Sequence, residues 1–360
     1  MQLFKFATQI QSEQPVASII ISVALMLIAG FLLTRVTKLL RLPNVTAYIV
    51  AGILIGPYCL NLVPQRFIDG TSFLSDIALA FIAFSTGEFF KLDVLKKNGM
   101  KVVWITVFES VLASLLVFVL TFFILHMDLA FSIVLSALAS ATAPASTMMT
   151  IRQTGAKGDF VDTLLQVVAL DDVVGLVLYS VAISIALASL SGSQGFSFQT
   201  IGKPILMNML TLFIGACFGL AMKLLMPQSR STDNKLIISV ALLFAFCGVC
   251  VLLDVSPLLG CMVMGTVYTN IAENDKLFKQ LGYFSPPILL LFFVRSGMNF
   301  KLDALFNASG DLDGVPLIVV GVSYFLVRIV GKYAGAWLGC FVVKKENCWR
   351  LPSDWWSSLE

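Results

Sequence analysis

Two adjacent carboxylates interrupt a long apolar run in the segment Val168-Ala169-Leu170-Asp171-Asp172-Val173-Val174-Gly175. That run, residues 161–189, exceeds the length of about 20 residues that a membrane-spanning helix needs. A charged group at bilayer depth costs about 2.5 to 3.5 kcal/mol even on lenient insertion scales, so such groups usually mark functional sites. The stretch therefore predicts a transmembrane helix with a polar site near its middle.

The composition extends this prediction to the rest of the chain. Of the 360 residues 58% are apolar and 12% are charged, whereas a soluble domain of this size has roughly a quarter charged residues. Windows of about 19 residues predict eleven spans, near residues 16–34, 44–62, 72–89, 102–125, 129–151, 161–189, 204–222, 236–253, 256–272, 281–299 and 314–342. We therefore predict an all-α integral membrane protein with about eleven transmembrane helices, comprising a transmembrane domain over residues 1–343 and a polar, Trp-rich tail over residues 344–360.

The distribution of basic residues predicts the orientation. Most of the 24 basic residues fall in alternate loops, including the loop of residues 91–101, and the other set of loops holds only Lys5, Arg66, Lys203 and Lys301. Cytoplasmic loops carry the excess of Lys and Arg, which predicts a multi-pass protein of the cell membrane with its N-terminus outside and loop 91–101 in the cytoplasm. The small net charge of +3 is scattered, and no basic run with interleaved aromatics predicts a nucleic-acid partner.

The adjacent acids can have separate tasks, because successive helical residues point about 100° apart. Two carboxylates so close cannot both ionise easily without a nearby cation, so one of them is expected to hold either a proton or a metal cation. Lys332 offers a partner whose ammonium can lose its proton when desolvated, whereas Arg328, one turn earlier, stays charged. The alternative is a structural acid pair neutralised by Lys332, Arg328 or helix-end amides.

A second irregularity lies near the centre of the fifth predicted span, in residues 140–147 with the sequence SATAPAST. Pro144 removes an amide donor and disfavours helical angles at the residue before it, which predicts a discontinuous helix near Thr142 and Pro144. Many secondary transporters build their ion sites from such broken helices at the membrane midplane. A simple proline kink in a packed helix is the alternative.

Taken together, these features resemble the monovalent cation/proton antiporter superfamily, and within it the electrogenic bacterial sodium/proton antiporters whose acid pair is Asp-Asp. Residues 42–57, LPNVTAYIVAGILIGP, are similar to the family's second helix, and residues 292–298, FFVRSGM, are similar to its tenth. Residues 331–335, GKYAG, resemble the segment whose lysine pairs with the first acid. The resemblance covers nearly the whole chain.

The resemblance implies a role for each candidate residue. Asp172 would be the carboxylate that binds Na⁺ and protons in turn, Asp171 the partner of Lys332 with Arg328 as the alternative, and Thr142 a contributor of backbone or hydroxyl oxygen. It implies a secondary active transporter rather than an enzyme, with no catalytic residues and no cofactor beyond the transported Na⁺, Li⁺ or K⁺ and the proton. It further implies a homodimer in the lipid bilayer.

Two features depart from the family pattern. Arg295 stands where a small or apolar residue is more usual, which predicts a structural salt bridge or an altered cavity entrance. The family is expected to have about thirteen spans in inverted repeats with a second broken helix, whereas residues 344–360 contain no apolar run long enough to span. We therefore interpret the chain as truncated at its C-terminus, with an incomplete second repeat.

The pattern of charges also has three alternative interpretations. A potassium/proton efflux antiporter is compatible with the same residues, although the glutathione-gated type carries a nucleotide-binding domain, and the sequence has no Gly-x-Gly-x-x-Gly turn after a strand. An intramembrane aspartyl protease places its two acids on separate helices, unlike the adjacent pair here. A non-transporting truncated remnant is the third alternative.

Overall fold

The computed structural model describes residues 15–40, 42–92, 99–142, 147–148, 150–151, 154–191, 198–227, 231–272, 276–300 and 316–343. These residues form helices joined by short connections, and no strand occurs among them. They divide into two compact units. One unit comprises Met1–Ser85, Ala145–Thr154 and Gly215–Leu302, and the other comprises Thr86–Pro144, Gly155–Ile214 and Asp303–Glu360. The predicted all-α class is therefore confirmed.

Thirteen α-helices follow one another along the described part of the chain, with a 3₁₀ turn at Gly87–Phe89 and a π-helical end to α5 at Val119–Ile124. They are α1 (Pro15–Leu39), α2 (Asn44–Ile55), α3 (Gln65–Gly70), α4 (Phe73–Thr86), α5 (Met100–Phe118), α6 (Leu129–Ser140), α7 (Asp159–Ser191), α8 (Phe198–Leu225), α9 (Thr232–Leu252), α10 (Leu258–Ile271), α11 (Lys276–Phe284), α12 (Pro286–Met298) and α13 (Leu317–Val343).

Each of the eleven predicted spans coincides with helix in the described residues, but not every helix is long enough to cross a bilayer alone. Six helices are long and apolar enough to cross a bilayer: α1, α5, α7, α8, α9 and α13. A seventh is formed if α11 and α12, which meet at a 47° bend, make one broken span. The helices α2, α6 and α10 are apolar but shorter. The exact number of crossings and the inverted repeats stay predictions.

In the first unit, α1, α2 and α12 share an apolar core that includes Met26, Tyr48 and Val294. The two family-like segments predicted on α2 and α12 pack face to face at glycines. A Cβ on Gly52 would collide with the backbone oxygen of Val294, and a Cβ on Gly297 would collide with that of Ile49. Only residues without a side chain permit this close approach, so α2 and α12 are held together backbone to backbone.

Arg295, the unusual residue of α12, forms hydrogen bonds rather than the predicted salt bridge. Its Nε and Nη2 donate to the backbone oxygen of Ile68 at 3.2 and 3.0 Å, and its Nη1 donates to Ser75 Oγ at 3.1 Å. No ion pair joins Arg295 to an acidic side chain within the described ranges. Ile68 lies in the last turn of α3, where carbonyl groups lack helical partners, so the guanidinium caps that helix.

In the second unit, α13 packs along α5 through three glycines spaced four residues apart, Gly331, Gly335 and Gly339, all of them buried. A Cβ built on them would lie 2.7, 2.6 and 2.8 Å from the Cα atoms of Ala113, Glu109 and Ile105, respectively. Residues four apart lie on one face of a helix, so this contact runs over two turns of both helices. It fixes the register of α13 against α5.

Candidate functional site

The helix α6 ends in the interior of the predicted fifth span. Ser140 is its last helical residue, and Ala141 is extended with φ −75° and ψ 145°. The predicted interruption near Thr142 is therefore confirmed, while Pro144 itself lies outside the described residues. Gly175 of α7 lets the two helices approach here, since a Cβ on it would be 2.9 Å from Ala141 Cβ. The end of α6 thus lies beside the acid-bearing part of α7.

Two basic side chains of α13 bind the carbonyl groups that the break leaves without helical partners. Arg328 donates from Nε to Ala139 O at 3.1 Å and from Nη2 to Ala141 O at 2.5 Å. Lys332 Nζ donates to Ser140 O at 2.5 Å. Positive charge is favourable at a helix C-terminus because the backbone dipole and the free carbonyl oxygens are negative there. These bonds explain how a half-helix can end in an apolar surrounding.

Asp171 accepts hydrogen bonds from three different helices or their ends. Its Oδ2 lies 2.6 Å from Lys332 Nζ and 2.7 Å from Thr142 Oγ1, and its Oδ1 lies 2.8 Å from Ser110 Oγ. The residue is fully buried. A buried carboxylate is tolerated when it is paired and hydrogen-bonded, and Asp171 meets both conditions. It is therefore held in one position by α5, α13 and the break after α6.

Asp172 differs from Asp171 both in its burial and in its hydrogen bonds. It is only partly buried, and within the part of the chain that the structure describes no hydrogen bond or ion pair to it is found. The oxygens of this carboxylate are therefore available to a proton or a cation, whereas those of Asp171 are already occupied. The two adjacent acids of α7 therefore differ: Asp171 is held in place by its partners, whereas the carboxylate of Asp172 is available.

Lys332 has a second acidic neighbour, which is Glu109 on α5. Its Nζ lies 3.3 Å from Glu109 Oε1, and both side chains are largely buried, with 13% and 14% of their surfaces exposed. Lys332 therefore lies between Asp171 and Glu109. Arg328 forms no ion pair with any described acidic residue, so the ammonium, rather than the guanidinium, is the partner of the first acid.

The structure thus brings Asp171, Thr142 and Lys332 into direct contact, with Arg328 one turn away on the carbonyls of α6. Sequence reasoning missed Ser110, which donates to Asp171, and the contact of Glu109 with Lys332. Glu109 carried a signal, because it is a charge within a predicted span. Ser110 carried none, since serine is common in these helices and only the packing of α5 against α7 brings its hydroxyl to the acid.

This arrangement offers oxygen atoms that can hold a small cation or a proton. Carboxylate, hydroxyl and backbone carbonyl oxygens are the groups that bind hard cations. The free carboxylate of Asp172 lies next to Asp171, whose charge Lys332 neutralises. One positive charge at Asp172 therefore brings the net charge of these groups to zero. Reversible occupation by one positive charge is what the geometry permits.

Comparisons with known proteins identify the family and the fold of the chain. Residues 19–352 match the family described as sodium/hydrogen exchanger, transmembrane. A structure of the sodium proton antiporter MjNhaP1 from Methanocaldococcus jannaschii at pH 8 is similar with a TM-score of 0.66 and 19% identity, covering 91% of this chain and 79% of that one. An electron-microscopy structure of the same antiporter gives a TM-score of 0.73 and 18% identity, covering 93% and 80%.

At these identities the two structures establish a common fold, and no curated sequence is similar enough to be reported as a relative. The family match extends over nearly the entire length of the chain. It accounts for the apolar helices. The chain belongs to the family of transmembrane sodium/hydrogen exchangers, which makes it a multi-pass membrane protein of a cation/proton exchanging, non-enzymatic family.

Proposed function

We propose that this protein exchanges a monovalent cation, Na⁺ or alternatively Li⁺ or K⁺, for protons, with Asp172 as the carboxylate that the two ligands occupy in turn. In this proposal Lys332, Thr142 and Ser110 hold Asp171 as a fixed negative charge. No cofactor takes part. The transported ions are the only ligands besides the lipid.

The contrast between the two adjacent acids carries the proposal. Asp171 is fully buried and receives donors at 2.6, 2.7 and 2.8 Å. Asp172 is partly exposed and has no hydrogen bond or ion pair to the described residues. A carboxylate that is already neutralised by an ammonium has little affinity for a second cation, because the local charge is balanced. The next carboxylate along the helix is therefore the one that binds.

Competition for one carboxylate explains how exchange is coupled. A proton and a metal cation both require the ionised form of Asp172, so each excludes the other. An empty, charged site is costly to move through a low-dielectric region, which makes reorientation of the unloaded site rare. The gradient of one ligand then drives the other ligand, and the rate depends steeply on pH.

The same proposal includes a location. The excess of basic residues in alternate loops supports an N-terminus outside the cell membrane and a cytoplasmic loop at residues 91–101. A homodimer is the assembly that the resemblance implies. The variants Lys5→Cys and Lys101→Cys test the orientation. The measurement is the labelling of each introduced cysteine by a membrane-impermeant maleimide on intact cells.

Dye measurements of ΔpH in inverted membrane vesicles test the exchange itself. Adding Na⁺, Li⁺ and K⁺ in turn should dissipate a respiration-driven pH gradient for the transported cation only. The variant Asp172→Asn should abolish this response, whereas Asp162→Asn should keep it, because Asp162 is an exposed acid on the same helix. Exchange preserved in Asp172→Asn would overturn the assignment.

The cation series also separates the alternatives. A response to K⁺ alone would favour a potassium/proton exchanger that uses the same carboxylate. No response to any cation from a correctly folded protein would favour a chain that does not transport.

A further inference from the structure

Arg328 lies at the site, yet the exchange described so far gives it no role beyond binding the end of a helix. Its guanidinium donates to two carbonyl groups of the α6 segment, from Nε to Ala139 O at 3.1 Å and from Nη2 to Ala141 O at 2.5 Å. No ion pair joins it to an acidic side chain of the described residues. The polar contacts of this arginine are therefore with the backbone of the broken helix.

The two carbonyl groups that Arg328 binds lie on opposite sides of the helix break. Ala139 belongs to the last turn of α6, whereas Ala141 is extended, with ψ 145°. A guanidinium is planar and holds its donors in a rigid fork, while an ammonium is a point charge on a flexible stem. A single fork that binds both carbonyl groups fixes their relative orientation. Arg328 therefore sets the direction in which the chain leaves α6 towards Thr142.

The segment beyond the break lies next to the acid pair. Thr142 Oγ1 donates to Asp171 Oδ2 at 2.7 Å, and a hydroxyl that donates keeps its lone pairs as acceptors. Ala141 packs on Gly175 of α7, where a Cβ would be 2.9 Å from Ala141 Cβ. Gly175 follows Asp172 by three residues, and residues three apart share one face of a helix. The oxygens of Thr142 are thus on the side of α7 that carries Asp172.

The end of α6 is held from two sides, so its oxygens cannot adjust freely to a larger ion. Arg328 and Lys332 bind its carbonyl groups from α13, and α7 approaches it without an intervening side chain at Gly175. Discrimination between cations depends on the size of the site, on the number of ligands and on their flexibility. A close and rigid approach of the two helices favours a small cation.

We propose that Arg328 determines the size of the cation that this protein accepts, because it holds the end of α6 where the oxygens of Thr142 and Asp172 fit Na⁺ and Li⁺ better than K⁺. This inference rests on the proposed role of Asp172 and deepens it by naming small monovalent cations as the substrate class. Arg328 does not bind the cation, since both are positively charged. It acts through the backbone of α6 and is a positioning residue.

The variant Arg328→Lys keeps the positive charge and removes the fork. A single ammonium cannot hold Ala139 O and Ala141 O in the same geometry, so the end of α6 becomes free to move away from α7. The site can then enlarge around K⁺. We expect the preference for Na⁺ over K⁺ to fall about ten-fold, which is the factor that corresponds to one lost charge-assisted hydrogen bond.

The experiment measures the concentrations of Na⁺, Li⁺ and K⁺ that give half-maximal ΔpH dissipation by the full-length protein, in proteoliposomes with an imposed pH gradient. For the wild type the concentrations of Na⁺ and Li⁺ should be lower than that of K⁺, and in Arg328→Lys this difference should shrink. Arg295→Lys is the matched control, because Arg295 also binds a helix-end carbonyl, that of Ile68 in the first unit. It should lower the thermal midpoint and keep the wild-type preference.

A second variant reaches the same segment from the opposite side. In Gly175→Ala the added Cβ would lie 2.9 Å from Ala141 Cβ and 3.2 Å from Ser140 Oγ, so the end of α6 must move away from α7 while Arg328 is retained. The preference for Na⁺ over K⁺ should fall here as well, and an unchanged preference would overturn the inference. This variant decides the question if Arg328→Lys does not fold.

The other outcomes are equally distinct. The inference is wrong if the wild type does not prefer Na⁺ to K⁺, if Arg328→Lys keeps the wild-type preference, or if it loses affinity for all three cations equally. It is also wrong if Arg295→Lys lowers the preference as much as Arg328→Lys does, because general destabilisation would then be the cause. Exchange that persists in Asp172→Asn would instead overturn the proposed function, and a wild type that exchanges none of the three cations would overturn both.

Discussion

Lys332 and Asp171 are separated by 161 positions in the sequence, yet the ammonium nitrogen of one lies 2.6 Å from the carboxylate of the other. The same ammonium binds Ser140 O at the end of the broken helix α6. One side chain therefore joins three features: the fixed acid, the helix break and the helix α13. The pairing makes Asp171 a fixed charge and leaves Asp172 available.

Removal of the ammonium should move exchange to higher pH. In Lys332→Gln the acid pair loses its nearest positive charge, so protons bind the pair more strongly and compete with the cation over a wider range. We expect the pH dependence of Na⁺-induced ΔpH dissipation in inverted vesicles to shift upward by about one unit. Lys332→Arg, which keeps a permanent charge, should shift it less.

Lys223→Gln is the matched control, because Lys223 is an exposed lysine in the last turn of α8. Lys223→Gln should leave the pH dependence of Na⁺-induced ΔpH dissipation unchanged. A wild-type profile in Lys332→Gln would mean that Arg328 can neutralise Asp171 in its place.

Ser110 is expected to stabilise the fold through its bond to Asp171. In Ser110→Ala the fully buried carboxylate loses one of three donors, and a buried acceptor without its partner costs about 1 to 3 kcal/mol. Thermal unfolding in detergent should show a lower midpoint. Ser114→Ala is the control, since Ser114 lies one turn later on α5 and its buried hydroxyl has no partner among the described residues. Equal midpoints for the two variants would show that the Ser110 bond contributes nothing.

Most of the fold and the principal members of the site could be predicted from the sequence, and the reasons differ from residue to residue. Asp171, Asp172 and Lys332 are conspicuous because charge within an apolar run is costly. The break after Ser140 is encoded locally by Pro144 and small neighbours. Neither signal depends on the position of another helix.

The remaining features depend on packing that no local pattern records. The hydroxyl of Ser110 meets Asp171, and Glu109 meets Lys332, only because α5 contacts both α7 and α13. The hydrogen bonds of Arg295 to Ile68 and Ser75 replace the expected salt bridge for the same reason, since the acceptors are a backbone oxygen and a serine hydroxyl on other helices. Local sequence indicates where a charge is buried, whereas tertiary structure decides its partner.

The glycine contact between α13 and α5 should be sensitive to a single methyl group. A Cβ at Gly335 would lie 2.6 Å from the Cα of Glu109, so Gly335→Ala must push the helices apart and should cost about 1 to 3 kcal/mol. In Gly321→Ala, on the same helix, the added Cβ meets nothing within 4 Å, and the higher helix propensity of alanine should stabilise by up to about 1 kcal/mol. Opposite shifts of the thermal midpoint are expected, and equal shifts would contradict the close contact.

Arg295 should affect stability without affecting exchange. Its planar guanidinium makes two hydrogen bonds to Ile68 O and one to Ser75 Oγ, a fork that a lysine ammonium cannot reproduce. Arg295→Lys should therefore destabilise the first unit by about 1 to 3 kcal/mol, measured as a lower thermal midpoint. The Na⁺ concentration for half-maximal ΔpH dissipation should stay at the wild-type value, because none of these bonds reaches the acid pair. A changed Na⁺ dependence at unchanged stability would instead place Arg295 on the path by which the cation enters.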